Sequence, residues 1–394
     1  MTFSRRDFLR ASKDYGAKAA MFAAMTGTTG AAISQLAGKQ AHAAKKAKYK
    51  FRHGATVINP KNERFLQSQV YEFVKWVEED SDGEIAIQLI DKGQACAENQ
   101  CVERVGAGVL DIGGSSAQNA AAIIYYAQAL DWPFLWRDRT ALINLVHDPK
   151  MNPVYRDVWQ REYGVEFLYT SNDPRDIFMG LKYSDKEEVR HPDQLKGAKL
   201  RITNSTMIEN FAASLGMSPV PLAWTETLEG MKSGVVDGME TWGSAAAGFG
   251  MTKVTAQALE LDFGPGTGCM FMNSRSMERM PGRLQDIMRE AARKASARSH
   301  VEQGKASDSV TGNGPNPTAE SNYVQLKDTM RHVRYTESEL DAFRDRGAVE
   351  KNGTIYADIR KKLDKLAGLD VYGAVAEYEQ RMRGQPLNPQ KWWA

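Results

Sequence analysis

The chain has few of the residues from which metal clusters and disulfide scaffolds are built. Its 394 residues include three cysteines and six histidines. Three cysteines exclude a disulfide-dense scaffold and a four-cysteine zinc site. The histidines are isolated in the sequence, and none belongs to an H-E-x-x-H pair. Neither a G-x-S-x-G nucleophile elbow nor a phosphate-binding P-loop occurs, so no motif favours hydrolase or nucleotide chemistry.

The net charge of the chain is close to zero. Fifty-one Lys and Arg face 49 Asp and Glu, which leaves +2 and no bulk field to attract nucleic acid. The charge is unevenly spread, because residues 1–43 carry +4 and the remaining 351 residues carry −2. The chain is 42% hydrophobic and 25% charged, as folded globular chains are, and it is long enough for two domains.

The first 43 residues have the pattern of an export signal. A charged head with the sequence SRRDFLR at 4–10 is followed by an uncharged stretch at 19–38 and by the small-residue exit AHA at 41–43. The paired arginines before Phe and Leu are typical of the twin-arginine signal, whose pathway exports folded proteins. An ordinary secretory signal and a membrane anchor are the alternatives. We expect a mature protein that begins near Ala44 in the periplasm.

In an oxidising compartment, Cys96 and Cys101 are candidates for a local disulfide, since only four residues separate them. The alternative is a pair of free buried cysteines, because a helix start at this spacing directs the two side chains apart. Cys269 is left over and is interpreted as a small core residue.

Strands and helices alternate along the mature chain. The patterns predict strands at 49–55 and 85–89, each followed by a helix, at 62–79 and 98–107, and then a short buried strand at 108–113. This alternation is typical of an α/β fold with a largely parallel sheet.

A short sequence motif occurs twice and indicates two lobes of similar construction. The sequence AGVLDIG at 107–113 is echoed by SGVVDG at 233–238, although chance accounts for one such echo equally well. Strand-like crossings near 165–180 and 262–272 are candidates for a hinge between the lobes. A long amphipathic helix is predicted at 282–305.

The candidate site contains one arginine with aromatic neighbours. Arg201 stands at the end of a predicted strand, where its planar guanidinium can bind a carboxylate through two parallel hydrogen bonds. Trp224, Trp242 and Glu240 follow it in the sequence, and aromatic walls around one fixed cation suit a small-anion cleft. The alternatives are a surface arginine and two tryptophans packed in the core.

Eight motifs occur in a fixed order between about residues 50 and 300. They are GQ at 93–94, GVLDIG at 108–113, LDWPFL at 130–135, LKGAKLR at 195–201, LGMSPVP at 215–221, WTE at 224–226, GVVDGME at 234–240 and MPGRLQ at 280–285. In content and order they resemble the solute receptors of the tripartite ATP-independent periplasmic (TRAP) transporters, of the dicarboxylate-receptor (DctP) type.

The resemblance implies a two-lobe α/β receptor in which each lobe is a mixed, mostly parallel sheet with flanking helices, joined by crossing hinge strands and braced by a long helix. We divide the chain accordingly into three parts. The signal occupies 1–43, lobe I occupies 44–175 and 266–306, and lobe II occupies 176–265 and 307–394.

The resemblance also assigns roles in ligand binding. Arg201 matches the arginine that clamps the ligand carboxylate, and the second basic residue of many relatives falls near Lys182. Glu240 matches the acid after Val-Asp-Gly-x and is interpreted as orienting Arg201. Further candidate ligand contacts are Thr241, Trp242, Trp224 and Ser115.

These features predict a non-enzymatic, monomeric receptor that carries a small organic acid to TRAP permease subunits and does not bind nucleic acid. We expect no cofactor, although Glu240 and Trp242 leave room for a partly cationic ligand or a metal ion that bridges the ligand. An exported enzyme and the receptor of an ATP-driven importer or a sensor are the alternatives.

Overall fold

The computed structural model describes residues 47–54, 68–90, 93–311 and 330–394. The predicted export signal at 1–43 and the first residues of the helix predicted at 62–79 lie outside this part. Over the described ranges, no helix is both long enough and apolar enough to cross a membrane.

The strands of the described chain form one hydrogen-bonded sheet in the order β2-β1-β3-β8-β4-β7-β5-β6, with β9 paired to β8. Five strand pairs are parallel, and β4 and β8 run antiparallel to each other and to β7 and β3 respectively. The predicted mixed and mostly parallel α/β architecture is confirmed. The strands are β1 (Tyr49–Gly54), β2 (Ile85–Ile90), β3 (Ile112–Ser116), β4 (Val165–Gly180), β5 (Lys199–Ile202), β6 (Ser218–Pro221), β7 (Gly238–Trp242), β8 (Thr255–Asn273) and β9 (Arg331–Val333).

Helices cover both faces of the sheet. In the described part they are α1 (Ser68–Asp80), α2 (Cys101–Gly106), α3 (Ala117–Ala120), α4 (Arg139–Val146), α5 (Arg156–Tyr163), α6 (Thr206–Ser214), α7 (Trp224–Ser233), α8 (Gly243–Gly248), α9 (Ser274–Glu278), α10 (Gly282–Thr311), α11 (Glu337–Gly347), α12 (Ala357–Ala367) and α13 (Val371–Met382). Short 3₁₀ helices occupy Glu98–Gln100, Tyr125–Leu130, Pro149–Val154, Leu181–Tyr183, Pro192–Leu195, Met251–Val254 and Gly353–Tyr356.

Helix α1 shows how the sequence pattern produces the packing. Val70, Phe73 and Val77 recur at helical spacing, and all three are buried against the sheet. The helix ends at a turn in which Gly83 has φ +74°, a conformation that glycine adopts without steric cost. The Gly83 amide donates to the carbonyl of Glu78 (2.9 Å), which satisfies one of the free carbonyls at the helix end.

The two copies of the repeated motif have the same local structure. In each copy a glycine with positive φ follows a helix, Gly108 at +75° after α2 and Gly234 at +74° after α7. The next residue, Val109 or Val235, is 51% exposed in both copies, and a strand begins three residues after that valine. The strand predicted at 108–113 therefore starts later, at Ile112, because the turn occupies the residues before it.

Two long strands cross between the predicted lobes. β4 and β8 pair from Val165 opposite Asn273 to Gly180 opposite Thr255. The predicted crossings near 165–180 and 262–272 lie within these strands, and the Gly-rich run at 264–268 is part of β8. On one side of the pair lie β1–β3, and on the other lie β5–β7. The division into two lobes remains a prediction.

The predicted long helix is confirmed as α10, which packs on α1 and β4. Leu284, Met288 and Ala291 form its buried stripe. The C-terminal helices touch parts of both predicted lobes, since α11 contacts α6 and α13 contacts α4. Near the C-terminus, the ring of Trp392 lies 3.5 Å from the guanidinium carbon of buried Arg156.

Candidate functional site

A cavity of about 110 Å³ lies where β3, β4, β5 and β7 approach one another. It shares several lining residues with a wider cleft of about 830 Å³, whose rims are formed by segments at 93–99 and 221–226. The carboxyl ends of parallel strands are the usual place for ligand sites in such sheets. The polar and charged residues that line the smaller cavity include Glu98, Ser115, Ser116, Gln118, Asn119, Ser171, Arg175, Arg201, Thr203, Glu240 and Thr241.

Among the described residues, two arginines line the cavity, Arg175 and Arg201. Arg175 lies on β4 and is fully buried. Its Nη1 donates to Oδ1 of Asp131 (2.8 Å), and its Nε donates to Oε2 of Glu240 (3.1 Å), which Nη2 also contacts. Burial opposes the positive charge, but Glu240 and Asp131 outweigh it, so that the pKa of Arg175 lies above its ordinary value. Burial raises the pKa of Asp131 to about 6, against the opposing effect of Arg175.

Arg201 lies on β5, as predicted, and is also buried. Its Nε donates to the carbonyl of Leu222 (3.0 Å), while its Nη1 lies 3.7 Å from Oε1 of Glu240. Within the described chain, its Nη2 has no hydrogen-bond partner. Burial lowers the pKa of Arg201, although Glu240 and Glu98 favour its charged form. A buried guanidinium with an unused donor at a cavity wall suits an incoming anion.

Glu240 joins the two arginines. Its Oε2 accepts from Arg175, and its Oε1 accepts from the backbone amide of Thr203 (3.1 Å) and faces Arg201. The carboxylate is therefore held by neighbours on β4 and at the carboxyl end of β5. This geometry agrees with a role in orienting arginines, and it brings Glu240 closer to Arg175 than to the predicted partner Arg201.

The predicted aromatic residues line the cavity. Trp242 lies over two glycines of β8, since a Cβ at Gly266 would overlap its indole ring and one at Gly268 would lie 3.5 Å from it. The ring of Trp224 is 5.5 Å from the guanidinium carbon of Arg201, and it makes an edge contact with Phe249 (5.5 Å between centroids). The Gly-rich run therefore makes room for an aromatic wall.

Ser115 and Thr241 also line the cavity, as the sequence predicts. Ser115 lies on β3, and its hydroxyl donates to the carbonyl of Ser116 (2.9 Å). Thr241 lies on β7 opposite Asp176 of β4.

Lys182, the predicted second basic ligand contact, lies away from the cavity. Its side chain is 66% exposed, pairs with Asp237 (3.0 Å) and does not line the cavity. The buried basic residue beside Arg201 is Arg175, which lies at an irregularity of β4 between Arg175 and Ile177. The polar segment NDPRD at 172–176, inside an otherwise apolar strand, is the sequence signal for it.

Three further polar groups of the cavity lining are buried without a hydrogen-bond partner in the described chain. They are the Tyr169 hydroxyl, the Thr203 hydroxyl and Oε1 of Gln118. Thr203 follows Arg201 by two residues, the spacing that places side chains on one face of an extended chain. Together with Arg201 it offers two donors to a single anionic group.

A disulfide joins Cys96 and Cys101, whose Cα atoms are 5.1 Å apart. It brackets the short helix that carries Glu98, at the rim of the wider cleft. Cys269 is free and buried, and burial raises its pKa to about 11. Among the described residues, no group of three or more His, Cys, Asp and Glu is placed to hold a metal ion.

The fold is that of periplasmic solute receptors. The crystal structure of a TRAP solute-binding protein from Desulfovibrio salexigens with bound orotic acid has a TM-score of 0.71 at 17% identity, covering 85% of this chain and 100% of that one. The corresponding protein from Sulfurospirillum deleyianum with bound succinate has a TM-score of 0.67 at 18% identity, covering 82% and 99%.

The sequence profile of the DctP family, the bacterial extracellular solute-binding proteins of family 7, matches residues 57–325. The chain therefore belongs to this family, whose members bind solutes and are not enzymes. The 2,3-diketo-L-gulonate-binding periplasmic protein YiaO of Escherichia coli is 27% identical over 166 residues, which are 42% of this chain and 48% of that protein. The chain spans 58% and 65% of the lengths of two other curated relatives.

Proposed function

We propose that this protein is an extracytoplasmic receptor that binds a small organic acid through its carboxylate at Arg201 and delivers it to the membrane subunits of a TRAP transporter. The observation that carries the proposal is the buried Nη2 of Arg201, which lines the cavity and has no partner in the described chain. Leaving such a donor unpaired costs about 1–3 kcal/mol, and a ligand carboxylate removes this cost on binding.

The surrounding contacts support a carboxylate clamp. The carbonyl of Leu222 accepts from Nε of Arg201, and Oε1 of Glu240 lies 3.7 Å from its Nη1, so that two of the three guanidinium nitrogens have neighbours and Nη2 is left for a ligand. The Thr203 hydroxyl is a second unpaired donor of the cavity lining in the described part of the chain. Preorganised donors of this kind bind an anion without further ordering of the side chains.

The known ligands of similar proteins support an organic acid. The structural neighbours hold orotic acid and succinate, and the relative from Escherichia coli binds 2,3-diketo-L-gulonate. All three compounds carry a carboxylate.

Closure of two lobes on the ligand is part of the proposal. The cavity lies beside the crossing strands β4 and β8, and Arg201 and Ser115 line it from strands on opposite sides of this pair. A hinge at the crossing closes the wider cleft by bringing its two rims together. We further propose export by the twin-arginine signal at 1–43 and a monomeric receptor in the periplasm.

A thermal-shift screen of the purified protein against hydroxy, keto, dicarboxylic and sugar acids and zwitterions tests the function. We expect at least one carboxylate to raise the melting temperature and to reduce the radius of gyration in X-ray scattering. Stabilisation only by compounds without a carboxylate, or binding without a change in the radius, would count against the proposal.

A further inference from the structure

The balance of charge around the cavity is unusual for a site that receives an anion. Two guanidinium groups, those of Arg175 and Arg201, are surrounded by the carboxylates of Asp131, Glu240 and Glu98. No other Lys or Arg lines the cavity in the described chain. With all five groups ionised, the site carries one negative charge before a ligand enters.

Arg175 is already paired with two carboxylates. Each of its three nitrogens already donates to a carboxylate, one to Asp131 and two to Glu240. Its charge is thus offset by two carboxylates within hydrogen-bond distance. The cavity guanidinium nitrogen without any partner among the described residues is Nη2 of Arg201.

Glu98 places a carboxylate where the cavity meets the wider cleft. The residue is half-buried and lines both the cavity and the wider cleft. The backbone amide of Ser116 donates to its Oε1 (3.1 Å), and the disulfide between Cys96 and Cys101 brackets its segment. Glu98 is therefore held in place on the side of β3, across the cavity from Arg201 on β5.

The wider cleft offers no cation for a second carboxylate either. Its lining in the described chain includes Glu98 and Glu226 but neither Lys nor Arg. The remaining lining of the cavity combines apolar side chains, among them Trp242 and Phe249, with uncharged polar ones such as Ser115 and Asn119. A second charged group would lose hydration here without gaining a partner of opposite charge.

We infer that the cavity selects ligands with a single carboxylate, and that Glu98 is the residue that rejects a second one. The inference rests on the proposed function and specifies its substrate class. The ligand's carboxylate binds Arg201 and Thr203, and its uncharged body lies against the tryptophans. Like charges brought together in a desolvated site oppose binding strongly, and this repulsion is the basis of the discrimination.

Matched pairs of ligands isolate the second charge. Succinate is compared with its monoamide succinamate, and terephthalate with 4-carbamoylbenzoate, by isothermal titration on the full protein. The members of each pair differ little in size, so that affinity reports the charge. We expect the monoanion of any pair that binds to be preferred by at least about tenfold.

Two variants test whether Glu98 is the residue that discriminates between the monoanion and the dianion. Glu98→Gln removes the charge and keeps the acceptor for Ser116, so the preference for the monoanion over the dianion should shrink by at least about fivefold. Glu226→Gln removes an equal charge from the wider cleft alone and should change neither ligand by more than about twofold.

Equal or tighter binding of the dianion to the unmodified protein overturns the inference and leaves the proposed function intact. An equal loss of this preference in Glu98→Gln and Glu226→Gln also overturns it, because a general field rather than Glu98 would then discriminate. Absence of stabilisation by any carboxylate in the thermal-shift screen overturns the proposed function, and this inference with it.

Discussion

Glu240 is the carboxylate shared by both cavity arginines, and replacing it by glutamine tests whether this pairing stabilises the folded receptor. Glu240→Gln keeps the shape of the side chain but removes its charge. An amide oxygen can still accept from the Thr203 amide, but the amide nitrogen then meets the donors of Arg175. Arg175 and Arg201 remain buried, with Asp131 as the remaining ionised partner that touches Arg175.

The expected loss of folding stability is large because the ion pair is buried. Arg175 and Glu240 are 1% and 2% exposed, and removing one partner of such a buried pair costs about 3–5 kcal/mol. For the roughly 315 residues that the structure describes, the unfolding entropy is about 0.7 kcal/mol per kelvin. A loss of 3 kcal/mol then lowers the melting temperature by about 4 °C. Scanning calorimetry of the ligand-free protein at pH 7 measures this change.

Glu229→Gln is the matched control, since Glu229 is exposed on α7 and lies outside the cavity. It should shift the melting temperature by less than about 1 °C. A melting temperature of Glu240→Gln that stays within this range, or rises, would refute the reasoning that Glu240 compensates the buried arginines.

Two further predictions concern parts of the chain away from Arg201. Burial, together with Asp262, raises the pKa of Asp176 well above its ordinary value, so that the wild type loses stability as pH rises above about 4. Asp176→Asn keeps the acceptor for the Asp262 amide and should be more stable than the wild type at pH 7.5, with no gain near pH 3. An equal gain at both pH values contradicts this. Mass spectrometry of the unreduced mature protein should find one free thiol, Cys269, and three after reduction. Three thiols before reduction would exclude the bond between Cys96 and Cys101.

Much of the fold can be predicted from sequence because it depends on local patterns. The apolar stripe of α1 and the alternation in β2 are each encoded within a few residues. The position of Arg201 can be predicted for the same reason, since the sequence LKGAKLR places it at the end of a strand. These features require no knowledge of what packs against them.

The charge network of the cavity could not be predicted in the same way. Arg175 binds Asp131 and Glu240, which lie 44 and 65 residues away in the chain. Its buried position follows from the pairing of β4 with β7 and β8, and no local pattern specifies that pairing. Counting back from Arg201 by a family spacing therefore led to Lys182, which is exposed and pairs with Asp237 instead.

Isothermal titration of Arg201→Met and Lys182→Met with a carboxylate ligand from the screen tests the central claim most directly. Both variants lose one positive charge, but only Arg201 lines the cavity. Losing a buried partner of the carboxylate costs about 2–5 kcal/mol, so Arg201→Met should weaken binding by at least about 30-fold. Lys182→Met should change it less than about twofold, because an exposed ion pair contributes little. Equal affinities of the two variants would contradict the clamp at Arg201.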